Sequence, residues 1–516
     1  MAVGLAHQIQ ADFSGGMFRS GAPERIPANA AYDLTNTLLT RNGGFFKRGG
    51  AAYRATAFGA GLRFIWDGWL SSGQTTLVAS TAAFGKVASG AVSSIGGSGL
   101  TRAGRPAVYE GKIYMPGGFT YDGTSASEAA VVAPYYAVVA NRLLAAEGSR
   151  VSFSVIGKPA TFEATDFHEL PGGIEILGVE GLRSSAAVFT TSGVWVIGNL
   201  AKNLVDETGN VQQTLDLYSQ DLVLWGSGGI ASWEGALVVP GTEAIYLLSL
   251  GVSSEKANSF VRISDSIVDL YQQYVQEGYA PGQATVFNNH YLLPIIGGGD
   301  VVDVLVCRLD LPMKDGHSRP WTHLAGSGAK VAAYATRVTS GFSRTPELLG
   351  ALYSAADSRP VTLSYLSPTA STTTDQDGTV PRWTITTRAY PTGNNVQNTV
   401  TKLKARYQLA GASSPTISCA VSTESPVQPA GAATWGAASW GEFTWASPAE
   451  QDFDVLVDLT TKLPLLAPVD LDGRNPYSWH PRKKVRYIQF RLTSNDPTSQ
   501  LSITSLELSI RAQGRT

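Results

Sequence analysis

Apolar residues along the chain fall in short runs broken by Gly-, Ser- or Asp-containing turns, and one such unit follows another. The segments "RFIWDGWLSSGQTTLVAST" (63–81), "GKIYMPGGFTYDG" (111–123) and "NRLLAAEGSRVSFSV" (141–155) each read as strand, tight turn, strand. The pattern returns in "SAAVFTTSGVWVIGN" (185–199), "GALVVPGTEAIYLLS" (235–249), "NHYLLPIIGGGDVVDVLVCRLD" (289–310) and "PELLGALYSAADSRPVTLSYL" (346–366). The units recur at intervals of roughly 30 to 60 residues, the range in which propeller blades repeat. A lone hairpin cannot bury both its faces, so stacking hairpins radially is the natural solution. The expected fold is all-β, a β-propeller of about six to eight blades. Two ordinary β-sandwiches are the competing arrangement. One helix interrupts the series at "SDSIVDLYQQYVQEG" (264–278), expected as an insertion on the propeller side. Ser264 or Asp265 caps it, Ile267, Leu270, Tyr271, Tyr274 and Val275 share a face, and Gly278 ends it.

The pattern changes at "SPTASTTTDQDGTVPR" (367–382), rich in Ser, Thr and Asp and without apolar periodicity, which reads as a linker. Strands resume beyond it, with clear alternation in "VRYIQFRL", and imply a C-terminal antiparallel β-sandwich over 383–516. The expected layout is an N-terminal hairpin arm (1–60) contributing to the propeller, the propeller (61–366), the linker and the sandwich. The arm contains "NTLLTRNGGFFKRGG" (36–50), where Asn42-Gly43 supplies the positive φ angles of a tight hairpin. Phe45 and Phe46 cannot face one core from one strand, so one of them packs against a neighbour or stays partly exposed.

Composition narrows the function classes. A hydrophobic fraction of 43% fills a real core, and 55 Gly and 26 Pro suit many turns. A net charge of −2 with 16% charged residues gives no bulk reason for strong nucleic-acid or membrane attraction. The two cysteines, Cys307 and Cys419, exclude a disulfide scaffold and fit a reduced site of assembly. No signal peptide is apparent at the start. The most apolar window (129–146) is broken by Pro134, Asn141 and Arg142, which argues against a membrane span.

The common catalytic patterns are missing: no G-x-S-x-G elbow, no G-x-x-x-x-G-K-[ST] phosphate loop and no H-E-x-x-H. The six histidines are scattered, and the pair in "HSRPWTH" has no nearby further ligands for a metal. "DQDGT" and "DLDGRN" read as Asp-Gly turns rather than calcium loops. The expectation is a non-enzyme without cofactor or metal. Trp435, Trp440 and Trp445 are read mainly as packing residues. The candidate docking residues are mostly cationic: Arg41, Lys47 and Arg48 with the neutral Asn42 at the hairpin, and Arg482, Lys483 and Lys484 in "HPRKKVR".

The stretch "ADFSGGMFRSGAPERIPANAAYDLTNTLLTRNGGFFKRGG" (11–50) resembles the N-terminal signature of the tail nozzle family of short-tailed phages. The matching positions are Gly15–Gly16, Pro27, Asn36, Asn42–Gly43 and Lys47-Arg48-Gly49. "NRLLAAEGSRVSFSVIGKPATFEATDF", "IEILGVEGLRSSAAVFTTSGVWVIGN", "ISDSIVDLYQQY", "RPWTHL" and "LSITSLELSIRAQGR" resemble later segments in the same order, so the likeness covers most of the chain. Many relatives are longer, which leaves a tail-hub or long-tail minor protein as neighbouring possibilities. The resemblance implies a structural virion protein of the tail, assembled in the host cytoplasm. Its partners would be copies of itself in a ring (commonly a hexamer), adaptor and portal-vertex proteins, other tail proteins and, transiently, genomic DNA in the channel. The alternative function is a carbohydrate-binding or carbohydrate-cleaving propeller acting on the host surface.

Overall fold

In the computed structural model the described residues are 5–10, 12–21, 25–100, 104–182, 184–205, 212–249, 259–311, 318–338, 346–354, 358–365, 374–391, 397–410, 416–422, 454–460, 469–470, 487–494 and 500–513. The chain forms a six-bladed β-propeller. Five four-stranded antiparallel blades follow in order over 64–96, 107–128, 135–169, 176–219 and 231–262. The sixth comprises Val331–Val338, Pro346–Leu352, Arg359–Leu363 and, from the other end of the chain, Ala51–Tyr53. A segment near the N-terminus thus supplies the outer strand of the last blade.

Between the fifth and sixth blades the ring is filled by a unit of the same strand order, 285–324, which does not stand alone. Its outer strand Trp321–Leu324 pairs in parallel with Asp33–Thr35, which pairs antiparallel with Trp383–Thr386. The sheet runs on through Tyr487–Ser494 and Thr416–Ser422 to Asp454–Thr460, giving eleven strands. A second sheet of six strands includes the arm hairpin Thr37–Leu39 and Phe45–Lys47 beside Gln500–Gln513. These two sheets are the described portion of the C-terminal region, and both contain arm strands.

Apolar packing explains why the units sit side by side. Phe64 and Leu77 of the first blade share a core with Ile113 and Tyr121 of the second. Phe189 and Val194 of the fourth share one with Leu237 and Tyr246 of the fifth. Val238 and Ile245 then meet Tyr291 and Leu293 of the 285–324 unit, whose Leu292 and Val304 meet Val331 and Tyr334 of the sixth blade. Ring closure comes from Ala333 and Leu349 of the sixth blade against Ile65 and Val78 of the first. Each fully buried side chain of this size contributes about 1.5–3 kcal/mol. First strands of neighbouring blades touch one another, so they line the centre. Gln283 fastens two of them: its Nε2 donates to the Ile65 carbonyl at 2.7 Å and the Tyr334 carbonyl at 3.3 Å, and its Oε1 accepts from Ile65 N–H at 3.2 Å.

The turns follow a local rule. Glu110-Gly111, Ala140-Asn141, Glu234-Gly235 and Asn288-Asn289 each join a first strand to a second with both residues at positive φ. That is the two-residue mirror-image turn, whose twist matches that of the strands. The helix Val268–Gln276, α1, follows a short 3-10 turn and buries Tyr271 and Tyr274 as its apolar spacing requires. Its N-terminus is capped from the arm. Ser20 Oγ accepts the Val268 N–H at 3.1 Å, while the expected cap, Ser264, accepts from Ile245 N–H. Gly278, at φ +73°, ends it as expected.

Candidate functional site

The arm hairpin turns through Thr40–Gly44. Gly43 N–H donates to the Thr40 carbonyl at 3.1 Å, and only Gly43, at φ +78°, adopts the left-handed region. The turn is therefore a longer loop closed by one left-handed glycine, not the two-residue turn expected of Asn42-Gly43. Phe45 and Phe46 point to opposite faces, and both are buried. Phe45 packs with Phe13 and Trp383 in one core, Phe46 with Leu38 and Val361 in the next. The strand is covered on both sides.

That burial corrects two residues of the docking set, Lys47 and Arg48. Arg41 and Asn42 at the tip are exposed, but Lys47 is 5% and Arg48 1% exposed within a single chain. Buried groups cannot form a surface for a second subunit. Arg482, Lys483 and Lys484 lie outside the described residues, as do Trp435, Trp440, Trp445 and the glycine turn of "DLDGRN".

Arg48 is instead the centre of a polar node. Its Nη1 and Nη2 donate in parallel to Asp375 Oδ1 and Oδ2, each at 2.8 Å, with both side chains shielded from solvent. Nε donates to Asn36 Oδ1 at 2.8 Å, and the remaining Nη hydrogens reach the Gly49 and Ala325 carbonyls, each at 3.1 Å. All five guanidinium hydrogens have acceptors. Burial works against the charge, but the hydrogen bond and charge of Asp375 together with Tyr365 and Tyr334 outweigh it and raise the guanidinium further. Asn36 sits at φ +53°, where its Nδ2 donates to the Arg382 carbonyl at 2.7 Å and its Oδ1 also accepts Ala325 N–H at 2.9 Å. Asp375 begins a turn in which Gly378 N–H donates back to its carbonyl at 2.9 Å, so the end of the expected linker is anchored in this node.

A second node lies two residues from Ala325. The His323 imidazole meets Asp33 Oδ1 through Nε2 at 3.0 Å and Asp303 Oδ1 through Nδ1 at 3.2 Å. Arg19 Nη2 donates to Asp33 Oδ1 at 2.9 Å, and the α1 Tyr274 hydroxyl to Asp303 Oδ2 at 2.6 Å. Burial alone would lower the imidazole, but Asp303 and Asp33 outweigh it and raise it to about 10. Burial would raise Asp33, but Arg19 and His323 hold it well below the usual carboxylate range. Two cations and two carboxylates thus balance among the arm, the 285–324 unit and α1. The histidine of "PWTH" is an internal staple. Among the described residues no three His, Cys, Asp or Glu side chains are arranged to hold a metal ion.

At the propeller centre Arg105, just before the second blade, pairs with Glu180 on the first strand of the fourth blade at 3.2 Å. Burial pushes the Glu180 carboxyl up and Arg105 holds it partway down. Arg142 is fully buried at the start of the third blade's second strand. It donates to the carbonyls of Leu200 at 3.0 Å, Ser154 at 2.7 Å and Lys202 at 3.1 Å, pinning the loop after the fourth blade's third strand. Cys307 is free and buried, and burial pushes its thiol up, away from reactivity.

These features define a β-propeller whose N-terminal arm is tied by ion pairs to the 285–324 unit and to the expected linker, and by strand pairing to the C-terminal strands. Among the described residues no helix is long and apolar enough to cross a membrane. No protein-family model and no curated protein matches the chain. Among solved structures it is similar to the extracellular domain of the putative one component system BT4673 from B. thetaiotaomicron, with TM-score 0.35 and 11% identity over 71% of this chain. The match spans 43% of that protein's chain. It is also similar to YCF48 from Cyanidioschyzon merolae, with TM-score 0.34 and 10% identity over 62% of this chain and 98% of the other. The Pan2 WD40 domain of Neurospora crassa gives TM-score 0.33 and 11% identity over 61% and 89%.

Proposed function

We propose that the chain is a structural virion protein, a ring-forming subunit of a phage tail nozzle or tail hub at the genome exit channel. The observation that carries the reading is where the signature residues fall. A Cβ on Gly16, at φ +68°, would lie 2.5 Å from the Trp321 backbone nitrogen, and one on Gly49 would lie 2.2 Å from the Ser364 carbonyl oxygen. Asn36 and Arg48 fill the buried node, and Asn141-Arg142 combines a left-handed turn residue with a buried loop anchor. The resemblance thus consists of residues with specific structural duties. Those in the arm join it to the 285–324 unit, the sixth blade and the expected linker, and Asn141-Arg142 ties the third blade to the fourth.

In this reading the propeller is scaffold, and the ring forms through exposed surface, including the hairpin tip at Arg41 and Asn42. Near-neutral composition suits a conduit wall, because each phosphate it neutralised would slow the passage of DNA. Native mass spectrometry of the purified chain, alone and with its adaptor ring, is the test. The expected outcome is a closed oligomer in at least one of the two. A monomer under both conditions at high concentration overturns the proposal. Arg41→Ala with Asn42→Ala should weaken the oligomer and leave thermal stability unchanged.

A further inference from the structure

Between the fourth and fifth blades the structure leaves a cleft of about 300 Å³, lined by Val196, Asp216, Leu217, Tyr218 and Phe260. Its shape follows from an irregular strand. Val194 pairs with Ser219 and Trp195 with Leu217, so Tyr218 is the extra residue of a β-bulge. A regular strand sends successive side chains to opposite faces, whereas a bulge re-aims one of them. Asp216, Leu217 and Tyr218 therefore all border one opening. Tyr218 and Phe260 meet edge to face, with centroids 6.3 Å apart and planes at 65°, and Tyr246 lies 5.7 Å behind Phe260.

The polar groups in this cleft point to one kind of occupant. Asp216 is exposed and forms no ion pair among the described residues. The Tyr218 hydroxyl is shielded from solvent and has no hydrogen-bond partner among the described residues, and burial pushes it up to about 12. Behind Phe260, burial raises the Tyr246 hydroxyl, Arg262 opposes that and Glu243, Asp221 and Asp265 add to it, with Arg262 itself paired to Asp265 at 3.0 Å. Aromatic rings beside an uncompensated carboxylate favour a cation. Arginine and lysine carry donors that the Asp216 carboxylate and the Tyr218 oxygen can accept.

We propose that this cleft receives an arginine or lysine side chain from a partner protein, with Asp216 pairing its charge and Tyr218 and Phe260 flanking its stem. The inference stands on the cleft and does not depend on the nozzle reading. The test uses the full chain and saturation-transfer NMR titration with the peptide Ac-Gly-Arg-Gly-amide. Its citrulline analogue, of the same shape without the charge, is the control. Expected are saturable binding of the arginine peptide, at least tenfold weaker binding of the citrulline peptide, and tenfold or greater losses in both Asp216→Asn and Phe260→Leu. Where Phe260→Leu lowers the melting temperature, Tyr218→Leu on the edge strand takes its place. Equal binding of the two peptides, or none, overturns the proposal. A loss in Asp216→Asn without one in the aromatic variant also overturns it, as diffuse attraction. Binding on a glycan array that both variants abolish would make the cleft a sugar site and overturn it as well.

Discussion

Replacing Arg48 by Met removes the charge of a shielded bidentate pair while keeping much of the side-chain volume. Asp375 then retains the Gly328 N–H at 2.9 Å but loses its only cation among the described residues, and the Gly49 and Ala325 carbonyls lose a donor. Breaking a buried pair from one side costs about 3–5 kcal/mol, because the other charge is left uncompensated. Asp375→Leu strands the guanidinium and should cost about as much. The double variant removes both charges and should cost less than the sum of the single variants by at least about 2 kcal/mol. A chain of this size need not unfold in one step, so the readout is local. Native-state hydrogen exchange over 36–50 and 374–382 should rise by roughly 10²- to 10³-fold in either single variant. Exchange within threefold of wild type, with only oligomer formation altered, would refute this argument and restore Arg48 as a docking residue.

Two further outcomes follow from the other buried groups. The His323 imidazole is raised to about 10, so its stabilising contribution is complete below the ordinary histidine value of about 6.5 and is lost as pH rises through about 10. The lowered Asp33 acts in the opposite direction, contributing above the usual carboxylate range and losing that contribution as pH falls below it. Melting temperature should therefore fall between about pH 7 and 10 in the wild type and be flatter there in His323→Gln. Identical slopes would contradict the assignment. Arg142→Met leaves three carbonyls without their donor and should cost about 3 kcal/mol, read as faster proteolysis within 199–205.

The propeller was legible because its signal is local. Every blade repeats the strand–turn–strand pattern, and Asn141 or Gly235 marks a turn that accepts few other residues. The nodes were not legible, for an equally physical reason. Arg48 and Asp375 are separated by 327 positions, and Asp33 and His323 by 290, and nothing in periodicity reports such pairs. "KRGG" looked like an exposed basic end because cations usually are exposed. The sign to the contrary was the adjacent Gly49-Gly50, where a Cβ would collide with the Ser364 and Thr374 carbonyls. Glycines that tolerate no side chain mark close backbone approach, so a cation beside them belongs to an interior. In "DQDGT" the turn was readable and the ion pair was not.

The centre of the ring decides where DNA could run in the proposed assembly. Arg105 and Glu180 connect the second blade to the fourth past the third, with side chains only 29% and 14% exposed. In the proposed assembly such a pair would narrow the propeller axis, which would place the conduit between subunits, against outer faces of the propellers. Replacing Arg105 and Glu180 together by Gln keeps the shapes and removes both charges. Because a buried pair is worth little relative to a neutral replacement, stability should change by about 1 kcal/mol or less. Particles carrying the double variant should then eject DNA at the wild-type rate, measured by dye release from labelled genomes. Faster or slower ejection from intact, normally folded particles would put the path on the propeller axis and refute the argument.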